Sequence, residues 1–284
     1  FKSIEKLISP RTKAIIVVHQ FGIPADLDEI MNIAKKHNIK VIEDCAQAHG
    51  AKYKNKYVGT YGDVGVFSLN VNKTIQSGEG GICITNDEDI RYRLALIRNH
   101  GEAVVGPANY ENITNIAGFN YRMTELQGAV AREQFKKLNT YNTERIKLVN
   151  HLNNSLKEFD FLITPEENND CYCTYYVYPL RFIPSKTNIN RSEFVKAVNA
   201  EGIMFYQGYV KPLYTQPLYQ KKHLYKYNYP FSAKENQDCK MDYKIGICPI
   251  AEKLYFEEMI INEHIRLPHT LDDIEDIVKA IRKV

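Results

Sequence analysis

Three short stretches of the sequence carry side chains able to act on a common small molecule. Val41-Ile42-Glu43-Asp44 is an apolar run that ends in a carboxylate. Phe67-Ser68-Leu69-Asn70-Val71-Asn72-Lys73 sets a hydroxyl at the end of a second such run, and an amine follows in the next turn. Ser77-Gly78-Glu79-Gly80-Gly81 comes next, and its glycines permit unusual dihedrals and close backbone approach. An amine held in a partly desolvated pocket loses proton affinity and can attack a carbonyl carbon. Ligands of open α/β sheets sit beyond the carboxyl ends of the strands, where an Asp can face a cationic ring nitrogen. Each feature alone has an ordinary reading: Asp44 as a turn cap, Lys73 as a solvated loop lysine, the glycines as a tight turn. Taken together they form the set that pyridoxal phosphate (PLP) requires. Lys73 supplies an amine for the aldehyde, Asp44 an anion for the pyridine nitrogen and Ser68 a donor for the phosphate.

These residues need a frame, and the hydrophobic pattern supplies one. Ala14 to Val18, Lys40 to Asp44, Val64 to Ser68 and Gly81 to Thr85 read as strands. Asp26 caps a helix in which Leu27, Ile30, Met31 and Ala34 form one face. A helix near Asp87 carries Ile90, Leu94 and Ile97. Strands alternating with helices imply an α/β layer sandwich with a mostly parallel sheet. From Met123 to Phe159 the pattern is long and helical, with a break near Asn139, and reads as a bridge between domains. Beyond it, Tyr175 to Phe182 is strand-like, Ser192 to Ala200 helical, Tyr209 to Phe231 a loop rich in Tyr and Pro, and Leu271 to Ile281 a final helix. The expected division is a large domain over residues 1–145 and a smaller α+β domain, including the bridging helix, over 146–284.

The chain has 284 residues, 44 % hydrophobic and 25 % charged, the balance of an ordinary globular protein. A net charge of +3, with basic residues scattered among acidic ones, gives no footprint for nucleic acid. No apolar run approaches the roughly 20 residues that a membrane helix needs. The cysteines at 45, 83, 171, 173, 239 and 248 form no CxxC pair, so no metal site is expected, and dispersed free thiols suit a cytoplasmic setting. The sequence opens at Phe1, in a short amphipathic helix over Ser3 to Ile8 followed at once by a core strand. We therefore expect a preceding segment of the domain to be missing.

The words VVHQFG, VIEDCAQAHGA, VGTYGDVGVFSLNVNKTIQSGEGG, IRNHG and GFNYRMTELQGA recur in order between Thr12 and Leu138. This stretch resembles the DegT/StrS family of nucleotide-sugar aminotransferases, with Pro212-Leu213-Tyr214 and the last helix giving a looser likeness beyond it. The resemblance implies an aspartate-aminotransferase-like PLP fold (fold type I) of three layers. It also implies transfer of an amino group, by analogy from L-glutamate, to a nucleotide-linked keto-sugar. In that likeness Lys73 holds the cofactor and shuttles the proton, and Asp44 pairs with the pyridine nitrogen. Gln47 sits near the ring and its O3′, and Ser68 donates to the phosphate. Asn120 reaches the phosphate of a neighbouring subunit's cofactor, so a homodimer with its site at the interface is implied. His19 and Arg122 fall near the substrate, with an interface ion pair as the other reading of Arg122. Tyr209 opens the aromatic loop from which acceptor selection, or plain packing, would come.

The family's Gly-Thr phosphate-binding turn and the aromatic residue stacked on the pyridine lie upstream of the matched region. Helix N-termini are good phosphate sites, and no substitute is evident in these 284 residues. The expectation is that the chain by itself binds PLP poorly or not at all and that a longer parent is a competent enzyme. Two other readings remain: a dehydratase of the same family, which carries His where this chain has Lys73, and a non-catalytic PLP-fold protein. A plain nucleotide-binding module would need a GxGxxG turn, and none is present.

Overall fold

The structure is a computed structural model, and it describes residues 1–101, 116–166, 168–237 and 241–284. Cys239 lies outside the described residues. The strands, in chain order, are β1 (Ala14–Val18), β2 (Lys40–Asp44), β3 (Lys52–Tyr53), β4 (Lys56–Tyr57), β5 (Val64–Ser68), β6 (Gly81–Ile84), β7 (Leu162–Ile163), β8 (Cys171–Tyr172), β9 (Tyr178–Phe182), β10 (Tyr206–Gln207) and β11 (Met259–Asn262). The helices are α1 (Lys2–Leu7), α2 (Leu27–His37), α3 (Glu88–Arg98), α4 (Glu125–Phe135), α5 (Leu138–Leu156), α6 (Arg191–Ala200), α7 (Pro217–Lys221), α8 (Pro249–Lys253) and α9 (Leu271–Lys283). None of the described helices is long and apolar enough to cross a membrane.

The chain divides into two compact units. The first is Phe1–Lys147 with Glu167–Tyr176, and the second is Leu148–Glu166 with Val177–Val284. The first unit is built on a sheet of order β1-β2-β5-β6. β1 and β2 run parallel from Ala14↔Lys40 to Val18↔Asp44, and β2 and β5 run parallel from Ile42↔Val64 to Asp44↔Val66. β6 closes the edge antiparallel to β5, with Gly81 opposite Ser68. Parallel neighbours need a crossover, and α2 provides the one between β1 and β2. Its Leu27, Ile30 and Ala34 repeat at helical spacing and are buried with Val17 and Val41 of the sheet. Burying a side chain such as Leu27 contributes about 1.5–3 kcal/mol. Met31 packs only partly against this core, and Ile33 takes the buried place beside Ile30. Asn38 ends α2 in the left-handed conformation, with φ of 52°, and its N–H bonds back to the last turn.

Residues 167–176 belong to the first unit because β8 pairs with β3, Lys52 facing Tyr172, while β4 covers the other side of β3. The strand foreseen from Tyr175 begins only at Tyr178, because Tyr175 has a φ of 45° and the chain turns there. The helical break falls at Lys136–Lys137, and Asn139 sits inside α5.

The second unit is an antiparallel sheet of order β10-β11-β9-β7. Phe182 on β9 stacks on Phe194 of α6 with ring centroids 5.2 Å apart, and Phe161 meets both edge-on. α9 buries Ile274, Ile277, Val278 and Ile281 on one face. β11 lies inside this sheet, yet Met259-Ile260-Ile261-Asn262 is too short for its periodicity to mark it as a strand. Arg191, almost fully buried, donates to the backbone carbonyls of Tyr255 (2.8 Å), Phe256 (2.8 Å) and Met259 (3.0 Å), and so fixes the approach to β11.

Candidate active site

The carboxyl ends of β2 and β5 are neighbours in the sheet, so the fold brings Asp44 and Ser68 to one edge. Asp44 is half-buried, and one of its oxygens accepts from the Ala46 N–H at 3.0 Å, an Asx-type turn that starts the 45–49 segment. Ser68 Oγ accepts from the Asn70 N–H at 3.2 Å. That bond leaves the Ser68 hydroxyl proton available as a donor. Beyond Ser68 the chain makes a turn in which the Lys73 N–H donates to the Asn70 carbonyl at 2.9 Å. The Gly-rich stretch then returns antiparallel, with the Leu69 N–H donating to the Gly80 carbonyl at 2.8 Å. Lys73 therefore stands on a short loop pinned at both ends.

The Lys73 amine lies 4.8 Å from the centroid of the Tyr176 ring. Burial pulls its pKa below the ordinary lysine value, and the Asp44 charge acts in the opposite direction. The two groups thus share one electrostatic environment without closing an ion pair. Beside them His49 is buried, with its ring 5.7 Å from that of Phe67. Burial first, and then the Lys73 charge, press its pKa down to about 4, and the Ser68 backbone only partly offsets them. Neither ring nitrogen of His49 has a hydrogen bond of good geometry among the described residues.

Gln47 is placed by its carboxamide oxygen, which accepts the Phe21 N–H at 2.9 Å. Its first structural task is thus to hold the turn at 20–22, on the same side of the sheet as Asp44. His19 is fully buried, and both ring nitrogens are engaged. Nδ1 accepts from the Ala25 N–H at 3.1 Å, so the proton sits on Nε2, which reaches Glu43 at 3.0 Å. A place for His19 in contact with substrate is not what this geometry offers, because no polar atom of the ring remains to be presented. Glu43, also fully buried, takes N–H groups from Gly59 (2.6 Å), Tyr61 (2.7 Å) and Gly62 (2.7 Å) besides His19. Burial pushes its carboxyl pKa up, but the bonds from His19, Gly62, Gly59 and Tyr61 together outweigh burial and hold it below the ordinary value. His19, Glu43 and Cys45 have their polar atoms within 4.8 Å of one another. Their hydrogen bonds make them scaffold under the 59–62 turn, and burial pushes the Cys45 thiol far up.

Asn120 and Arg122 lie on an exposed extended segment before α4. Asn120 bridges to Asn99, and Arg122 donates to the Asn99 side chain at 2.8 Å. This segment is joined to the Gly-rich loop, because Gln127 Nε2 donates to the Glu79 carbonyl at 3.0 Å. At Gly80 an added Cβ would lie 2.9 Å from Met123 Cε. Asp44, Gln47, Ser68, Lys73, Asn120 and Arg122 are thus all parts of the first unit. Tyr209 is half-buried and belongs to the second unit, just past Gly208.

Three residues at the site escaped sequence reasoning. Tyr176 has the composition of a strand around it, Arg145 is one of many charges on a long helix, and His49 is one letter of VIEDCAQAHGA. Arg145, buried, donates to Thr74 Oγ1 (3.2 Å) and to the Thr174 carbonyl (3.3 Å). It ties the Lys73 loop to the segment that carries Tyr176. A charge buried on a helix is visible only once its partners are.

The residues present fit PLP on chemical grounds: an amine with depressed proton affinity, an acceptor carboxylate free of ion pairing among the described residues and a hydroxyl donor, on adjoining strand ends. Comparison with known proteins bears on the same point. Among curated sequences, an uncharacterized protein of Methanocaldococcus jannaschii is 32% identical over 291 residues, covering 100% of this chain and 69% of its own length. GDP-perosamine synthase of Escherichia coli O157:H7 is 33% identical over 220 residues, covering 78% of the chain and 58% of that enzyme. The putative L-glutamine:3-amino-2,3-dideoxy-scyllo-inosose aminotransferase of Streptoalloteichus tenebrarius is 32% identical over 288 residues, covering 99% of the chain and 67% of that protein. The chain therefore spans 58% to 69% of the length of these relatives. Among solved structures, an aminotransferase from Psychrobacter cryohalolentis superimposes with a TM-score of 0.82 at 27% identity, covering 99% of this chain and 71% of its own. A sequence profile matches residues 1–241. The chain belongs to the DegT/DnrJ/EryC1/StrS aminotransferase family.

Proposed function

We propose that this chain carries the catalytic core of a PLP-dependent aminotransferase that moves an amino group from L-glutamate to a nucleotide-linked keto-sugar. The observation that carries the reading is the partly buried Lys73 amine on the pinned turn after β5, with the Asp44 carboxylate at the adjoining strand end acting on it. When bound, PLP supplies an electron-withdrawing ring that stabilises negative charge at the donor's Cα. Lys73 would hold the aldehyde carbon through Nζ and afterwards take up and return the Cα proton at the same atom. Asp44 would keep the ring nitrogen protonated. Gln47 would border the ring, and the Ser68 hydroxyl would donate to the phosphate. Asn120 would serve a partner subunit's phosphate, and Arg122 the substrate. A homodimer is supported by the exposed apolar side chains around Asn120: Phe119, Tyr121 and Leu126. Tyr209 is proposed to contribute to the acceptor's pocket. A sugar acceptor is supported by relatives named for GDP-perosamine and for a UDP-linked dehydroglucosamine. Because four relatives are named for L-glutamine and a cyclitol ketone, both belong in the substrate panel beside L-glutamate and the keto-sugar nucleotides.

The test is borohydride reduction of the purified chain in excess PLP, followed by peptide mass mapping. The pyridoxyl group is expected on Lys73, with no comparable labelling in Lys73→Ala. Labelling spread over exposed lysines, and equal in the variant, would refute the reading.

A further inference from the structure

We propose that Tyr176 is a positioning residue for Lys73: its ring face holds the amine in one place and favours its protonated form. The inference rests on the reading of Lys73 given above. It starts from the 4.8 Å separation between the Lys73 nitrogen and the ring centroid, inside the range where an ammonium is drawn to an aromatic face.

The backbone shows that Tyr176 is held in this place by the fold. The Tyr176 N–H donates to the Phe21 carbonyl at 2.8 Å, and the Thr174 N–H to the Gly22 carbonyl at 2.9 Å. Gly22, with a φ of 83°, approaches so closely that an added Cβ would lie 2.5 Å from Thr174 Oγ1. Between these two anchors Tyr175 is left-handed at φ 45°, a conformation a bulky residue adopts only where its surroundings impose it. The Phe21 N–H is itself bound to Gln47, so one chain of bonds runs from the 45–49 turn through Phe21 to Tyr176. From the other side, the Arg145 guanidinium grips both Thr74, next to Lys73, and the Thr174 carbonyl. The ring and the amine are thus each fixed to the same supports.

The charged and titratable groups acting on Lys73 are Asp44, which favours the ammonium, and His49, buried and neutral. Arg145 stands behind the loop. Burial disfavours the charge, and the aromatic face compensates in part. A lysine that must accept a proton in one half of a reaction and release it in the other needs a defined position for each state. The ring face provides the position of the charged one.

The test is competitive acetylation of the 284-residue chain with trace acetic anhydride from neutral to strongly alkaline pH. The labelling of Lys73 is read by peptide mass spectrometry, with exposed Lys196, which makes no ion pair among the described residues, as internal reference. Tyr176→Leu is expected to lower the Lys73 midpoint by about 0.5 pH unit, the worth of an aromatic face at a partly exposed ammonium. Tyr176→Phe is expected to leave it in place. Both variants keep the main-chain bonds to Phe21, and near-ultraviolet circular dichroism checks the fold. A midpoint unchanged in Tyr176→Leu, or lowered equally in Tyr176→Phe, overturns the inference. A wild-type midpoint already below that of Lys196 but unmoved by Tyr176→Leu overturns this inference alone and leaves the proposed function standing. An ordinary wild-type midpoint that still drops in Tyr176→Leu supports the contact and removes the desolvated amine on which the proposed function depends.

Discussion

Replacing Glu43 by Gln changes one oxygen to an amide nitrogen and removes one charge, and the structure says what that costs. Oε2 serves His19 Nε2 and the Gly59 N–H, while Oε1 serves the N–H groups of Tyr61 and Gly62. Whichever way the new amide is turned, two buried donors meet a third. His19 cannot reverse its tautomer to help, because the Ala25 N–H already points at Nδ1. Two unmet buried donors at about 1–3 kcal/mol each, together with the lost charge assistance, give a destabilisation of about 3–6 kcal/mol. That is a large share of a typical stability of roughly 5–15 kcal/mol. Urea unfolding followed by circular dichroism measures it. The pH dependence supplies a second check. The Glu43 carboxyl pKa is lowered by folding, so its contribution is complete above the unfolded value and is lost as pH falls through the lowered folded value. The gap between wild type and Glu43→Gln should therefore close on the acid side of the ordinary carboxylate range. A loss below about 1 kcal/mol at neutral pH, or a gap that does not narrow in acid, would refute the argument.

Asp44→Asn should slow a half-reaction with L-glutamate by about a hundredfold or more while leaving the melting temperature nearly unchanged, since among the described residues its side chain bonds only to the Ala46 N–H. Stopped-flow absorbance and a thermal melt, run on the same preparation of a reconstituted enzyme, compare the two. His49, held near 4 when folded, opposes folding as the unfolded chain takes up a proton below the ordinary value of 6.5. Wild type should lose roughly 3 kcal/mol over that acid window, a slope that His49→Leu would lack; parallel curves for the two proteins would show that His49 is not buried neutral. Arg191→Lys replaces a fork on three carbonyls by a single point charge and should cost about 2–4 kcal/mol, read as an earlier melt of the second unit, and an unchanged melt would count against that fork.

Much of the first unit could be read before any coordinates. The apolar runs at β1, β2 and β5 are bounded by charge and glycine, and their carboxyl ends carry Asp44 and Ser68, so strand ends and candidate chemistry coincide in the sequence. What could not be read depends on contacts between distant segments. β3, β4 and β8 are two residues long and exist only because they pair, which leaves no periodic trace. Tyr175 to Val177 has the composition of a strand, yet the tertiary bonds to residues 21 and 22 impose a left-handed turn. His19 stands in a family-like word, and its exposure was the unknown. Burial against Glu43 makes it scaffold, a distinction that residue type cannot make.

The first unit is not continuous in the chain. It takes back residues 167–176 after the polypeptide has already left it, and the pairing of β8 with β3 and the stitch from Thr174 to Gly22 both wait for that return. During synthesis, therefore, β1 through α4 can emerge and collapse while the ring that faces Lys73 has yet to be translated. Pairing Lys52 with Tyr172 joins residues far apart in the chain, so the entropy of closing that loop is lost before the contact rewards it. The Lys73 amine would be the last part of the unit to gain its surroundings.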